Sequence, residues 1–382
     1  MKKTLIAMAA LAAASAFAQS SATLYGSVDA YFGQTSTTAP TPGATVLNKS
    51  SVTPFVKNKQ TVVNSGGLGA SRLGISVKED LGNDMSAFVT IENELQTDAG
   101  TTGAAARTSV VGLGTSFGKL SIGRQATPLK DSSVRLADAQ ADSAFSAFNR
   151  AAAVSITTDR SPFVQRINNS VRYDTPDMNG FRGAVAIGTA QVNEAAPGKD
   201  KIFSMSLGYV VPGSWAIGFS HQSERNGQNT NAVPPFPGAN GVTAGSNKVT
   251  INYLSGAVGT PVGKITLGFG GGKVSGVTGS DKGWNIGWSA PVGAWTFIAQ
   301  YASFKADGQL GNLYNTVNTY RVTPANPAWR SGGARRSSFG VEAHYALSKR
   351  TTLYTGYNRT KNLAGIQDAK SDVLGLGMRH DF

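Results

Sequence analysis

The sequence predicts an all-β chain of sixteen antiparallel strands closed into a transmembrane barrel, and three features carry that expectation. Apolar and polar residues alternate with period two through segment after segment. The connections between segments are alternately short and long, the layout of an outer-membrane barrel. Beyond the first 18 residues there is no continuous apolar run long enough for a helical span, a test that barrels escape because only alternate strand residues need be apolar.

Residues 1–18 read as a secretory signal rather than structure. Lys2 and Lys3 give a positive start, Leu5 to Ala14 form a short apolar stretch, and Ala16-Phe17-Ala18 is a small-x-small cleavage box. The barrel domain is accordingly expected over 19–382. Its first strand shows the alternation clearly: Leu24, Val28, Ala30 and Phe32 share one face, and Ser27 and Asp29 the other. Leu73, Ile75 and Val77 alternate with Arg72, Ser76 and Lys78. Further on, Val249, Ile251 and Tyr253 alternate with Thr250 and Asn252; Trp295, Phe297 and Tyr301 with Thr296 and Gln300; and Phe339, Val341, Ala343 and Tyr345 with Ser338, Glu342 and His344.

Sixteen such segments begin near residues 22, 71, 85, 107, 119, 168, 181, 203, 215, 248, 264, 282, 294, 336, 351 and 372. Short turns are expected at Leu81–Asp84, Phe117–Lys119, Pro176–Gly180, Pro212–Ser214, Thr260–Gly263, Pro291–Gly293 and Ser348–Arg350. Longer polar connections lie between them, notably 34–70, 126–167, 222–247 and 305–335. In the last strand Leu374, Leu376, Met378, His380 and Phe382 share one parity, with Gly375, Gly377, Arg379 and Asp381 on the other. A soluble sandwich also alternates, but sixteen strands without a domain break would overfill it. A closed sheet of that size leaves an aqueous interior, which accounts for inward polarity and outward apolarity together.

Composition limits the partners. The chain carries 35 basic and 22 acidic residues; without Lys2 and Lys3 the excess falls by two, to +11. Such a charge suits nucleic acid, anionic lipid or anionic solutes, and export removes the first. There is no cysteine, so disulfides and thiolate metal sites are excluded.

Several short stretches resemble the general porins of Gram-negative bacteria, especially the type common in Betaproteobacteria. They are Ala22-Thr23-Leu24-Tyr25-Gly26, Ser71-Arg72-Leu73-Gly74, Glu79-Asp80-Leu81-Gly82, Phe117 through Gln125 (FGKLSIGRQ), Asn169 through Pro176 (NSVRYDTP) and Leu347-Ser348-Lys349-Arg350-Thr351. The resemblance spans the chain from Ala22 onward. It implies a homotrimer with one pore per subunit, short periplasmic turns, long extracellular loops, and a third loop folded inward to narrow each pore. The function it implies is passive diffusion of small hydrophilic solutes and ions across the outer membrane, in contact with lipid and lipopolysaccharide and with no cofactor. Phe382 resembles the terminal aromatic by which such barrels are handed to their assembly machinery.

A pore concentrates its selectivity where charged groups meet the narrowest water. Ser132–Phe148, within 126–167, has helical character, and on a helix Asp131, Asp138 and Asp142 would share a face. The family's constriction loop carries acids at similar spacing, opposite a cluster of wall arginines. Arg72 and Arg172 match that cluster by motif and by parity. Arg124 matches by motif but shares parity with Leu120 and Ile122, so it reaches the lumen only if a bulge near Gly123 re-aims it. Glu92 and Glu94 also fall on the lumen face, where they can neutralise nearby arginines. The acids with Arg135 among them could equally be surface ion pairs on a solvated face. The positive excess favours anion preference.

Other chemistry is thinly represented. His221, His344 and His380 stand singly on strands, without metal spacing. Gly268 to Lys273 lacks the strand–loop–helix context of a phosphate loop, and no nucleophile–base pairing suggests an enzyme. Two alternatives use the same barrel: a solute-specific channel for small organic anions, and a plugged barrel acting as adhesin or phage receptor.

Overall fold

The computed structural model describes residues 20–40, 55–152, 166–189, 201–225, 248–275, 278–307, 335–363 and 368–382. The proposed signal, residues 1–18, and most of the connections at 222–247 and 305–335 lie outside the described residues. In chain order the elements are β1 (Ser20–Pro40), β2 (Phe55–Ser65), β3 (Arg72–Gly82), β4 (Met85–Gln96), β5 (Thr101–Thr115) and β6 (Gly118–Ala126). Two helices follow, α1 (Pro128–Leu136) and α2 (Ala147–Ala152). The rest is strand: β7 (Arg166–Asp174), β8 (Phe181–Thr189), β9 (Lys201–Val211), β10 (Trp215–Arg225), β11 (Lys248–Thr260) and β12 (Gly263–Val274), then β13 (Asp281–Val292), β14 (Trp295–Ala306), β15 (Arg336–Ala346), β16 (Thr351–Lys361) and β17 (Lys370–Asp381).

Every pairing is antiparallel, strands pair with chain neighbours except that β1 also pairs with β3, and β1 closes the ring against β17 from Ser27↔Asp381 to Thr38↔Lys370. The seventeen segments make a closed barrel of sixteen staves, because β2 and β3 are two halves of one. β2 pairs with the far half of β1 (Ala30↔Ser65 to Pro40↔Phe55), and β3 with its near half (Ser20↔Glu79 to Ser27↔Arg72). Gly66 to Ser71 interrupt the stave between them. The described residues of the connection expected over 34–70 are therefore largely strand. Its alternation is hidden because Lys57, Lys59 and Thr61 are polar on one parity and Asn58, Gln60 and Asn64 on the other.

The short connections fall where turn residues demand them. Between β3 and β4, Gly82, Asn83 and Asp84 take φ of 76°, 51° and 59°, which suits the tight turns that match strand twist. Outward residues such as Leu24, Leu207 and Leu376 are more than half exposed, whereas Ser27 and Asp29 are fully buried inside. Strand β11 departs from the outward-apolar pattern. Val249, Ile251 and Tyr253 face the lumen and are buried, while Leu254 and Val258 face outward. Their apolarity is matched by α2, whose Phe148 packs 5.5 Å from the Tyr253 ring.

The segment expected as one helix over Ser132–Phe148 is two short helices with turns between them. Thr127 caps α1 by accepting from the Lys130 N–H at 3.1 Å, and Pro128 opens it. The helix ends at Leu136. Asp131 lies in the first turn of α1, Asp138 lies beyond its C-cap, and Asp142 has φ of 69°. The three acids do not share a helical face.

Candidate pore constriction

Residues 127–152 lie inside the barrel, against the inner faces of β9 to β16. Leu129, Phe145 and Phe148 have no exposed surface. The wall is cut to receive them: a Cβ on Gly356 would stand 2.4 Å from the Phe145 ring, and one on Gly287 2.5 Å from Ala139. Phe145 meets Tyr31 and Tyr354 edge-on at 5.7 and 6.4 Å.

Polar groups complete the seat. The Ala137 carbonyl accepts from Asn285 and Gln300 of the wall. Glu342 accepts from Gln140 Nε2 at 2.8 Å and Ser143 Oγ at 2.6 Å. Asn358 Nδ2 donates to the Phe145 carbonyl at 3.0 Å. These donors occupy carbonyls and carboxylates that would otherwise be buried unsatisfied. Within the segment, Asp138 is buried and accepts from the N–H of Gln140 and Asp142 and from Ser146 Oγ, at 2.9 to 3.0 Å. Burial pushes its carboxyl up to about 6, against the pull of those hydrogen bonds.

A second hub holds the break in the stave. Asp29 accepts from the N–H groups of Gly67, Leu68 and Gly69 at 2.8 to 3.0 Å, and from the Tyr354 hydroxyl. Gly67 in turn accepts from the Ala144 N–H at 2.8 Å. The break and the tip of the inward segment are thus tied to each other across the barrel interior.

Between them and the wall of β3 to β5 and β17 lies an open cavity of about 440 Å³, the candidate passage. The inward segment contributes Ala141, Asp142, Ser143 and Ala144, and the break contributes Gly66, Leu68, Gly69 and Ala70. The wall contributes three arginines, Arg72, Arg107 and Arg379, with Glu94 and Gln96. Arg107 donates to Glu92 at 2.8 Å and to Glu94 at 3.3 Å, and Arg72 stands 3.7 Å from Glu92. On the other side Asp142 is bound by Lys130 Nζ at 2.8 Å and by Asn149. Lys130 is nearly buried, and that burial pushes its ammonium down, with Asp142 opposing.

Of the residues singled out from sequence, Arg72 and Asp142 line this passage. Arg172 and Asp131 meet each other instead, at 2.6 Å, with Asp174 also 2.6 Å from Arg172; this clamps the start of α1 to β7. Asp138 is enclosed in the segment. Arg124 does sit at a bulge, where the β6–β7 register shifts between Gly123 and Gln125 and Gly123 has φ of 135°. Its guanidinium donates to the Ala106 carbonyl and to Asn168 beside the exposed face, away from the passage lining. Arg107 and Arg379 were not anticipated. Arg379 had a signal, since it shares the inward parity of β17. Arg107 had none: Val111 and Leu113 face outward, and a register shift opposite Asn93 turns Arg107 in.

Comparison with known proteins adds the identity. A family model described as Gram-negative porin matches residues 4–365. The chain belongs to that family. An outer membrane porin protein of Bordetella pertussis is 26% identical over the full length of both chains. Outer membrane porin protein 32 of Delftia acidovorans is 33% identical over 47% of this chain and 48% of its own. Among solved structures, an anion-selective porin from Comamonas acidovorans superposes with a TM-score of 0.69 at 20% identity, covering 95% of this chain and all of that one. This porin is therefore an outer-membrane channel rather than an enzyme, and it crosses the outer membrane of a Gram-negative bacterium many times.

Proposed function

We propose that this porin passes small hydrophilic solutes and ions by passive diffusion and prefers anions, with Arg72, Arg107 and Arg379 facing Asp142 across the narrowest water. One observation carries the preference: around the passage the cations Arg72, Arg107, Arg379, Lys130 and Arg166 outnumber the carboxylates Glu92, Glu94, Asp142 and Asp381 that pair with or face them. A field focused between low-dielectric walls makes that local balance outweigh charges on distant loops. In this reading Arg172 with Asp131, and Asp138, act by holding the inward segment, and Arg124 stays at the bulge.

The functional unit is a homotrimer with one pore per subunit. Support comes from the outer face: among the described residues the most exposed tryptophans and tyrosines, Tyr173, Trp215, Trp284, Trp288, Trp295 and Tyr301, stand on β7 to β14, with Tyr345 and Tyr357 half-buried on β15 and β16. Aromatic belts mark lipid interfaces, so the arc from β15 through β1 to β6 suits contact with other subunits. Residues 1–18 direct export. Phe382 completes the last outward row and pairs its backbone with Gly26 at 3.0 and 3.1 Å, a position suited to recognition by the assembly machinery before closure.

The test is the reversal potential of the purified protein in a planar bilayer under a salt gradient. A potential set by chloride, with channels closing in three steps, is expected. A potential set by the cation would overturn the anion preference, and silence from folded barrels would overturn the open pore.

A further inference from the structure

Glu342 is a buried carboxylate with which no lysine or arginine pairs among the described residues. It stands on the inner face of β15, against the tip of the inward segment, and its two oxygens meet different partners. Oε1 accepts from Gln140 Nε2 at 2.8 Å and from Ser143 Oγ at 2.6 Å. Oε2 lies 2.7 Å from Nε2 of His344, two residues along the same strand. A carboxylate only accepts, so this contact assigns the shared proton to the imidazole.

The grip passes on into the backbone of the tip. Gln140 Oε1 accepts from the Ala147 N–H at 2.8 Å, and Ser143 Oγ from the Phe145 N–H at 3.1 Å. A weaker hold on Glu342 is therefore felt at Phe145 and Ala147, where the segment seats against the wall.

His344 can change its charge. A fifth of its side chain is exposed, against 1% for Glu342, so protons reach the imidazole from water. Imidazole is the side chain whose ordinary charge change falls between pH 5 and 8. As a neutral donor it gives Glu342 an ordinary hydrogen bond, and its proton can also sit on Nδ1, which leaves Oε2 without a donor. As imidazolium it gives a charge-assisted bond, roughly twice as strong, and offsets the buried charge.

No cation around the pair duplicates this role among the described residues. β14 sets Ile298 opposite Glu342 and Thr296 opposite His344. β16 sets Gly356 and Tyr354 at the same positions, and the Tyr354 hydroxyl donates to Asp29 of β1. On β17, Arg379 is 2.8 Å from Asp381. Within the segment Lys130 holds Asp142, and Arg150 donates to the Ala144 carbonyl. Asp138, enclosed in the segment, titrates in the same range at about 6.

We propose that His344 is a positioning residue of the constriction: protonated, it tightens the grip of Glu342 on the segment tip, and as pH rises it lets that grip slacken. The segment is then firmly seated in acid and looser in alkali. This rests on the inward segment being the constriction and not on which ion passes.

The experiment is hydrogen exchange of the whole porin in lipid, read by mass spectrometry over residues 137–152 between pH 5 and 8, with intrinsic exchange rates divided out. Asp138→Asn serves as the background, because it removes the competing titration. In that background the protection of the segment should fall about fivefold from pH 5 to 8, the difference between a charged and a neutral donor to one carboxylate. With His344→Gln added, which keeps a donor but cannot titrate, protection should stay level. Equal profiles in the two proteins, or protection that rises with pH, would overturn the proposal. Strand amides report folding; if His344→Gln does not fold, Glu342→Gln removes the charge and should level the profile in the same way. Exchange reads the seat without current through the pore, so a failed anion preference and a failed role for His344 are separate results.

Discussion

On β5 the alternation set by Val111 and Leu113 would turn Arg107 toward lipid, and one register shift opposite Asn93 brings it instead into the water passage between Glu92 and Glu94. Replacing Arg107 with Ser should leave those two carboxylates facing the passage. The anion-to-cation permeability ratio should then fall, by roughly fivefold for about 1 kcal/mol of lost attraction at the dielectric of water, read as a shift of reversal potential. Asp138 gives a second prediction. Its carboxyl is raised from 3.8 to about 6 in the folded chain, so the folded state binds the proton more tightly than the unfolded one. Stability should therefore rise as pH falls through about 6 toward 3.8, by roughly 3 kcal/mol in all, and above about 6 the full cost of the buried charge is present. Denaturant midpoints of the wild type and Asp138→Asn, compared between pH 4 and 7, should differ by this pH dependence. Parallel curves would remove Asp138 as its source.

The inward segment reads as helix because Ala, Leu and Gln have good helical propensity. It breaks because the wall takes its backbone: the Ala137 carbonyl, which a continuing helix would offer to Ala141, accepts from Asn285 and Gln300, and Ala141 takes φ of 48°. Tertiary hydrogen bonds override propensity wherever a strand supplies donors at the right height. The segment therefore depends on the wall glycines as much as on its own residues. A Val at Gly356 should drive its side chain into the Phe145 ring, 2.4 Å from the nearest Cβ position, on a site where overpacking costs about 1–3 kcal/mol. The barrel should still form, while the single-channel conductance should rise and become noisy as the segment leaves its seat. An unchanged, quiet conductance would show that the segment does not depend on this contact.

At the scale of the molecule, closure joins the two ends of the chain, with β1 serving β17, β2 and β3 together. A closed sheet has no edge to satisfy in lipid, which is why its apolar face can be turned outward. The result is asymmetric around the ring. Among the described residues the most exposed Trp and Tyr occupy β7 to β14, while the opposite arc carries mainly aliphatic residues such as Leu73, Ile75, Val111 and Leu376. Lipid on one arc and subunits on the other accounts for both halves, and a protein closing in single steps rather than threes would remove that account.

Strand number, the placing of the short turns and the inward face of most staves were legible in the sequence, because period-two alternation and turn chemistry are local properties. Arg72 and Asp142 both line the cavity, though they were singled out differently: Arg72 by motif and strand parity, Asp142 by resemblance and by acid spacing on a helix that the structure does not form. What the sequence could not show was decided at a distance. The bulge that admits Arg107, the stave broken at Gly66 to Ser71 and pinned by Asp29, and the clamp of Arg172 on Asp131 each depend on partners 13 to 41 residues away. Alternation states which face a residue takes on an unbroken strand; where the strand breaks or bulges, only the packed barrel fixes which charges meet the water.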